Sequence, residues 1–188
     1  MKPEMEQLVL DCQRKDAKAQ KRLYDEFSPL MLGVCMRYTH SRDEAQDLLH
    51  DGFIRVFDSI GRLKNPMALE DWMYHIMVNL CVNYTNRRRE LQYSDLAGMD
   101  GKEGAMLTDD PFNTDPFETS EVLSAIQALP DPYGVAFNLR EVEGLEFAEI
   151  AGQLGVKEST VRSAVARARK MLRAALEPKL NPENKKNK

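Results

Sequence analysis

From residue 4 to about residue 89, apolar positions recur with the spacing of helices laid on a core, with few breakers apart from Pro29, Gly33, Gly52, Gly61 and Pro66. Asp16 is placed to cap a helix running through KAQKRLYDEF toward Tyr38, with an interruption expected near Ser28-Pro29. Ser41-Arg42-Asp43-Glu44 has the form of a capping box and sets a helix start at Ser41. That helix carries Ala45, Leu48, Leu49, Phe53, Val56, Phe57 and Ile60 as one buried stripe, and Gly61 is expected to stop it. A loop, Arg62-Leu63-Lys64-Asn65-Pro66, leads into a further long helix with Leu69, Trp72, Met73, Ile76, Leu80 and Tyr84 on its inner side. Residues 91–117 lose this periodicity and gain Gly98, Gly101, Gly104, Pro111 and Pro116. Such a segment buries too little apolar surface to offset its ordering entropy, so it reads as a linker. Four shorter helical patterns follow, at 118–128, 132–143, 146–154 and 158–176. No strand pattern and no internal repeat is evident. The pattern predicts an all-α protein: two small helical domains, residues 4–90 and 118–178, joined by the linker 91–117.

Charge sharpens this division. The net charge is −4, which taken alone speaks against nucleic-acid binding, but its distribution decides. Lys157, Arg162, Arg167, Arg169, Lys170, Arg173 and Lys179 stand against only Glu158 and Glu177 within 157–179. Asp95, Asp100, Glu103, Asp109, Asp110, Asp115, Glu118 and Glu121 crowd the linker region with Lys102 as the lone base. An acidic segment therefore separates two more basic ends.

Other chemistries find little support. Cys12, Cys35 and Cys81 are odd in number and far apart, which fits buried thiols better than a disulfide framework or a metal site. His40, His50 and His75 have no metal-ligand spacing. No nucleophile-base pair or phosphate loop marks an enzyme, and no cofactor is expected. No apolar run approaches the roughly 18 residues of a membrane span, so direct insertion is not expected. The charged opening MKPEMEQLVLDCQRKD lacks the apolar core of a secretory signal, which makes the cytoplasm the expected location.

The C-terminal segment holds the sharpest motif. Glu146 to Val156 reads as a short helix ending at Gly155, which can supply a left-handed turn, with Ala151 small where a second helix crosses. Val156 and Val161 anchor the turn and the next helix, which is helix-turn-helix spacing. That helix begins after Lys157, a weak N-cap, and carries Val161, Ala164, Val165, Ala168, Leu172 and Leu176 on one side. Ser159 and Thr160 lie in its first turn; Thr160, Ser163, Arg167 and Lys170 share another face, flanked by Arg162, Arg169 and Arg173. The first turns of such a helix contact bases in a major groove while its arginines hold phosphates. An amphipathic helix with a solvated basic side fits the second helix alone equally well; the preceding turn pattern favours DNA.

In the N-terminal half, Asp47, His50, Asp51, Ile54 and Asp58 lie opposite the apolar stripe of their helix, an acidic surface suited to a basic helical partner, although a solvated face is the usual explanation for such charges. The following helix exposes His75, Asn79, Asn83 and Asn86 and ends in Arg87-Arg88-Arg89. Asparagine is a poor helix former, but its amide bonds bases and the arginines hold phosphates. Trp72, Tyr74 and Tyr84 offer stacking surfaces for unpaired bases, although aromatics at this spacing are more often core.

In this order, these residues resemble the extracytoplasmic-function (group four) RNA polymerase sigma factors. Asp43-Glu44-Ala45-Gln46-Asp47-Leu48-Leu49-His50-Asp51-Gly52-Phe53 is similar to one family stretch, and Trp72-Met73-Tyr74-His75-Ile76-Met77-Val78-Asn79 to the element after it. Leu129-Pro130, Leu139 to Leu145, Glu149-Ile150-Ala151, Thr160-Val161-Arg162-Ser163 and Arg167-Ala168-Arg169 follow the family's C-terminal region. Gly52 stands where a Thr is common, and Ala164 where relatives carry larger polar or basic residues. The resemblance implies that Asp47, His50, Asp51 and Ile54 dock on the clamp helices of core RNA polymerase. It implies that the 61–70 loop, with Asn65, and the helix bearing Asn79, Asn83, Arg87 and Arg88 capture and read the opened minus-ten strand. Ser159, Thr160, Arg162, Ser163, Arg167, Arg169 and Lys170 would hold the minus-thirty-five duplex, and the acidic linker would run near the RNA-exit path. Promoter DNA, core RNA polymerase and an anti-sigma factor are the expected partners. A stand-alone helix-turn-helix regulator is the alternative; it explains 146–176 but not the asparagine-bearing helix or the arginine triplet.

Overall fold

A computed structural model describes residues 2–95 and 119–180, with side chains over 4–88 and 121–176. Most of the predicted linker, from residue 96 to residue 117, lies outside the described residues, while 91–95 are helical. The described residues form helices joined by short turns, without a strand: α1 (Lys2–Gln13), α2 (Ala17–Met36), α3 (Arg42–Ser59), α4 (Leu69–Asp95), α5 (Thr119–Gln127), α6 (Asp131–Phe137), α7 (Phe147–Leu154) and α8 (Glu158–Leu180). Short 3₁₀ turns at Ile60–Arg62 and Pro66–Ala68 precede α4, and a π turn at Asn138–Val142 extends α6. The chain forms two compact units, Met1–Tyr84 and Thr85–Lys188.

In the first unit α2 packs on both α1 and α3. The starts of these helices follow local chemistry. Asp16 Oδ1 accepts from the Ala19 N–H at 2.8 Å. Ser41 Oγ accepts from the Glu44 N–H at 3.2 Å, and the Glu44 carboxylate reaches back to the His40 N–H at 3.0 Å. This is the expected box with its return arm shifted by one residue.

Other details depart from expectation. The interruption at Ser28-Pro29 is absent, because α2 runs unbroken through Pro29. Pro29 is exposed, so water can satisfy the freed carbonyl, and Leu23, Phe27, Met31, Val34 and Cys35 hold the helix to the core on both sides of it. Gly61 does not end α3 through a left-handed cap; a 3₁₀ turn does, with the Leu63 N–H donating to the Ile60 carbonyl at 3.0 Å. On α4 the buried side is rotated from the predicted one. Leu69, Met73, Met77, Val78, Leu80, Cys81 and Val82 are buried, while Trp72, Ile76 and Tyr84 sit half-buried at the margin.

Cys12, Cys35 and Cys81 are all buried and free, as core thiols. Burial, with the nearby Asp11 and Asp16 carboxylates, pushes the Cys12 thiol up to about 11, so it carries no thiolate at neutral pH.

The second unit is built around α8, which packs against α5, α6 and α7. Ile126, Leu129, Ala168 and Leu172 form one buried cluster, flanked by Tyr133 and Phe137. Gly155 adopts φ 64°, the left-handed conformation read from the sequence, and its N–H and that of Val156 both close on the Ala151 carbonyl. The helix predicted over 132–143 is instead seven residues of α6 followed by a π turn, where the Glu143 N–H reaches the Asn138 carbonyl at 3.0 Å.

One contact in the first unit is tight enough to test. A Cβ on Gly52 would lie 2.1 Å from Met77 Sδ, and Met77 is fully buried. Relieving this means moving a flexible thioether inside a filled core, at about 1–3 kcal/mol, against a helix-propensity gain of about 1 kcal/mol. Gly52→Ala is therefore expected to lower stability in urea unfolding of the full chain, and to cost less in a Met77→Ala background. Equal costs in both backgrounds would show that the two residues are not coupled.

Candidate nucleic-acid interface

On α8 the division between core and surface is sharp. Val161, Ala164, Val165, Ala168 and Leu172 are buried. Ser159, Thr160, Arg162, Ser163, Arg167, Arg169 and Lys170 are all exposed. Ala164 therefore faces the core, which accounts for its small side chain. The Lys157 carbonyl accepts from the Thr160 and Val161 N–H groups, so Lys157 does occupy the cap position and offers only its backbone.

The exposed arginines are held in place by neighbours. Arg162 pairs with Glu158 one turn earlier, and its guanidinium lies 4.3 Å from the centre of the Phe147 ring. Arg140 stacks on the same ring at 4.6 Å and donates to the Leu145 carbonyl at 2.7 Å. Arg167 donates to the Tyr133 hydroxyl at 2.9 Å, and Arg169 donates to the Glu141 carboxylate at 2.6 Å. Tyr133, Glu141 and Phe147 come from α6, the π turn and α7, and the sequence reading did not single them out. The π turn matters here because Arg140 and Glu141 lie within it. Only the Glu158–Arg162 pair, at i and i+4, is visible as a sequence pattern.

On α4, His75, Asn79, Asn83 and Arg87 are exposed and four residues apart, so they form one stripe with about 6 Å of rise between neighbours. Asn86 and Arg88 are half-buried at its margin, and the side chain of Arg89 lies outside the described residues. Tyr74 is half-buried and its hydroxyl accepts from Arg37 Nη2 at 2.8 Å, which ties this ring to α2. Before α4, Asn65 is exposed and Met67 is 57% exposed. Asn65 Oδ1 is already occupied, accepting from the Met67 N–H at 3.1 Å, so its NH₂ is the part left to face outward.

On α3, Asp47, His50, Asp51 and Ile54 are exposed together, and Ile54 is 58% exposed. His50 stacks on Tyr24 of α2 with ring planes 14° apart. The residues assigned from sequence to one surface thus do share one surface. Among the described residues no helix is long and apolar enough to cross a membrane.

Comparison with known proteins fits this geometry. Residues 23–90 match the family model for sigma-70 region 2, and residues 119–172 the model for sigma-70 region 4. The chain is 32% identical to the RNA polymerase sigma-H factor of Pseudomonas aeruginosa, over 93% of this chain and 95% of that protein. It is also 31% identical to the ECF RNA polymerase sigma-E factor of Haemophilus influenzae, over 91% of this chain and 94% of the relative. The chain belongs to the extracytoplasmic-function sigma factors. The fold is similar to that of the sigma factor RpoE from Bartonella quintana, solved in complex with the anti-sigma factor NepR, with a TM-score of 0.52 at 20% identity, covering 84% of this chain and 96% of that one. As a sigma factor the protein directs promoter-specific transcription, and the stand-alone regulator is set aside. In this sigma factor most of α8 lies in the segment matched to region 4, and α3 and most of α4 lie in the segment matched to region 2.

Proposed function

We propose that this sigma factor is a dissociable, non-catalytic subunit that docks on core RNA polymerase through α3, grips the minus-thirty-five duplex with α8, and reads the opened minus-ten strand with the 61–70 loop and α4. The observation that carries this reading is the sidedness of α8. Its apolar residues are buried, and Ser159, Thr160, Arg162, Ser163, Arg167, Arg169 and Lys170 are all turned outward. Thr160 and Ser163 in the first turns face bases, and the arginines and Lys170 meet phosphates. On α4, Asn79 and Asn83 present amides to unpaired bases while Arg87 and Arg88 sit toward the backbone. Extruding a base costs a few kcal/mol, so a loop carrying Asn65 can select which sequences melt. The acidic face of Asp47, His50, Asp51 and Ile54 meets basic clamp helices. An anti-sigma factor is a natural partner, since the Bartonella protein of similar fold was solved with one. The protein works in the cytoplasm, where the polymerase is.

The pairing of Arg169 with Glu141 gives this reading a direct consequence. A phosphate competes with the Glu141 carboxylate for the Arg169 guanidinium, and exposed pairs of this kind are worth about 0.2–1 kcal/mol. Glu141→Gln in the polymerase-bound protein is expected to tighten minus-thirty-five duplex binding by roughly 1.4- to fivefold, the range that energy spans. A salt titration should show the gain, and Arg169→Ala should abolish it. Unchanged or weaker binding by Glu141→Gln would remove Arg169 from the contact.

Docking is tested separately. Asp51 is exposed on α3 and holds no core contact, so Asp51→Lys is expected to keep the helical circular-dichroism spectrum and lose about tenfold in affinity for core polymerase. Normal assembly by this variant would place the docking surface elsewhere.

A further inference from the structure

Gln13, the last residue of α1, lies outside both segments matched by the family models, yet it holds the loop between α3 and α4. Its single side-chain amide donates to the Ile60 carbonyl at 3.0 Å and to the Leu63 carbonyl at 3.1 Å, across 47 and 50 residues of sequence. Those carbonyls bracket the first 3₁₀ turn, Ile60–Arg62. Gln13 is half-buried, so water competes poorly for both bonds. Beyond Leu63 the loop is extended through Asn65, whose side chain and carbonyl then close the second turn onto the Met67 and Ala68 N–H groups. Buried Ile60 and Leu69 pin the two ends, and Lys64, Asn65 and Met67 project from the middle. The loop is thus a shaped element packed against α1 at both of its turns, and the two Gln13 bonds are the side-chain tie at its exit from the first turn.

We infer that Gln13 is a positioning residue for promoter reading: by clamping the Ile60 and Leu63 carbonyls it sets where Asn65 and Met67 meet an unpaired base. The inference rests on the proposed role of this loop. A donor with two hydrogen atoms on a short stem suits the task, since both carbonyls must be satisfied from one point. Glutamate in its place has the same size but no hydrogen to give, and methionine has the same reach but no polar group. Lysine retains donors on a longer stem.

The test uses the full chain assembled with core polymerase on promoter fragments carrying single-base changes across the minus-ten element. Permanganate reactivity of unpaired thymines reads strand opening, with assembly and thermal unfolding of each variant measured alongside. Gln13→Glu and Gln13→Met are expected to flatten the preference between the best sequence and its single-base variants by about tenfold, the effect of losing two ordinary hydrogen bonds. Gln13→Lys is expected to recover most of the preference. Should one of the first pair fail to fold, the other carries the test. If both variants lower opening equally on every sequence, or leave the preference intact while Met67→Ala flattens it, Gln13 is a structural tie only and the inference is overturned. If Asn65→Ala and Met67→Ala also leave the preference unchanged, the loop is not the reader, and the proposed function of the loop falls with it.

Discussion

The orientation of α8 about its own axis is the constraint on which the second unit depends. Val161, Val165 and Leu172 are buried against α5, α6 and α7, and each such side chain is worth about 1.5–3 kcal/mol. The ion pairs on the opposite side are exposed and worth about 0–1 kcal/mol each. Burial therefore decides the rotation, and the charged side follows from it. Because the apolar stripe is continuous from Val161 to Leu172, the helix cannot turn its arginines inward without exposing its core contacts. The surface proposed to meet a duplex is thus fixed before any duplex arrives.

The weak pairs then serve a different purpose. Arg162, Arg167 and Arg169 are long side chains whose ordering on binding would cost entropy. Phe147, Tyr133 and Glu141 already confine them near the surface they are proposed to serve, without burying their charge. Exchange of an exposed carboxylate for a phosphate is nearly balanced, so the arrangement orders the arginines without trapping them. The same logic runs through the first unit. The buried side of α3 leaves Asp47, His50, Asp51 and Ile54 outward, and that of α4 leaves His75, Asn79 and Asn83 in a row.

What the sequence made legible was the local chemistry. Asp16, Ser41 and Gly155 act within a few residues of themselves, so their helix boundaries could be read directly. The stripe on α8 was equally plain, because one side is buried and the other solvated. On α4 the reading slipped: Met77, Val78, Leu80, Cys81 and Val82 are buried over more than one side, which blurs a single 3.6-residue period. Pro29 misled for a similar reason, since tertiary burial outweighed the local penalty of about 3 kcal/mol. Gln13, Tyr133, Glu141 and Phe147 left no signal, as each acts on a residue distant in the chain. The π turn was also invisible, because its residues continue the helical pattern of α6.

If the proposed roles hold, these surfaces work only on a polymerase mount. Run-off transcription with purified core polymerase on promoter-bearing genomic fragments tests that most directly. The expected result is discrete transcripts from a defined set of start sites, present only when this chain is added, with the chain alone showing little preference among duplexes. Selective duplex binding by the isolated chain, with no change in the transcripts made by the polymerase, would contradict it.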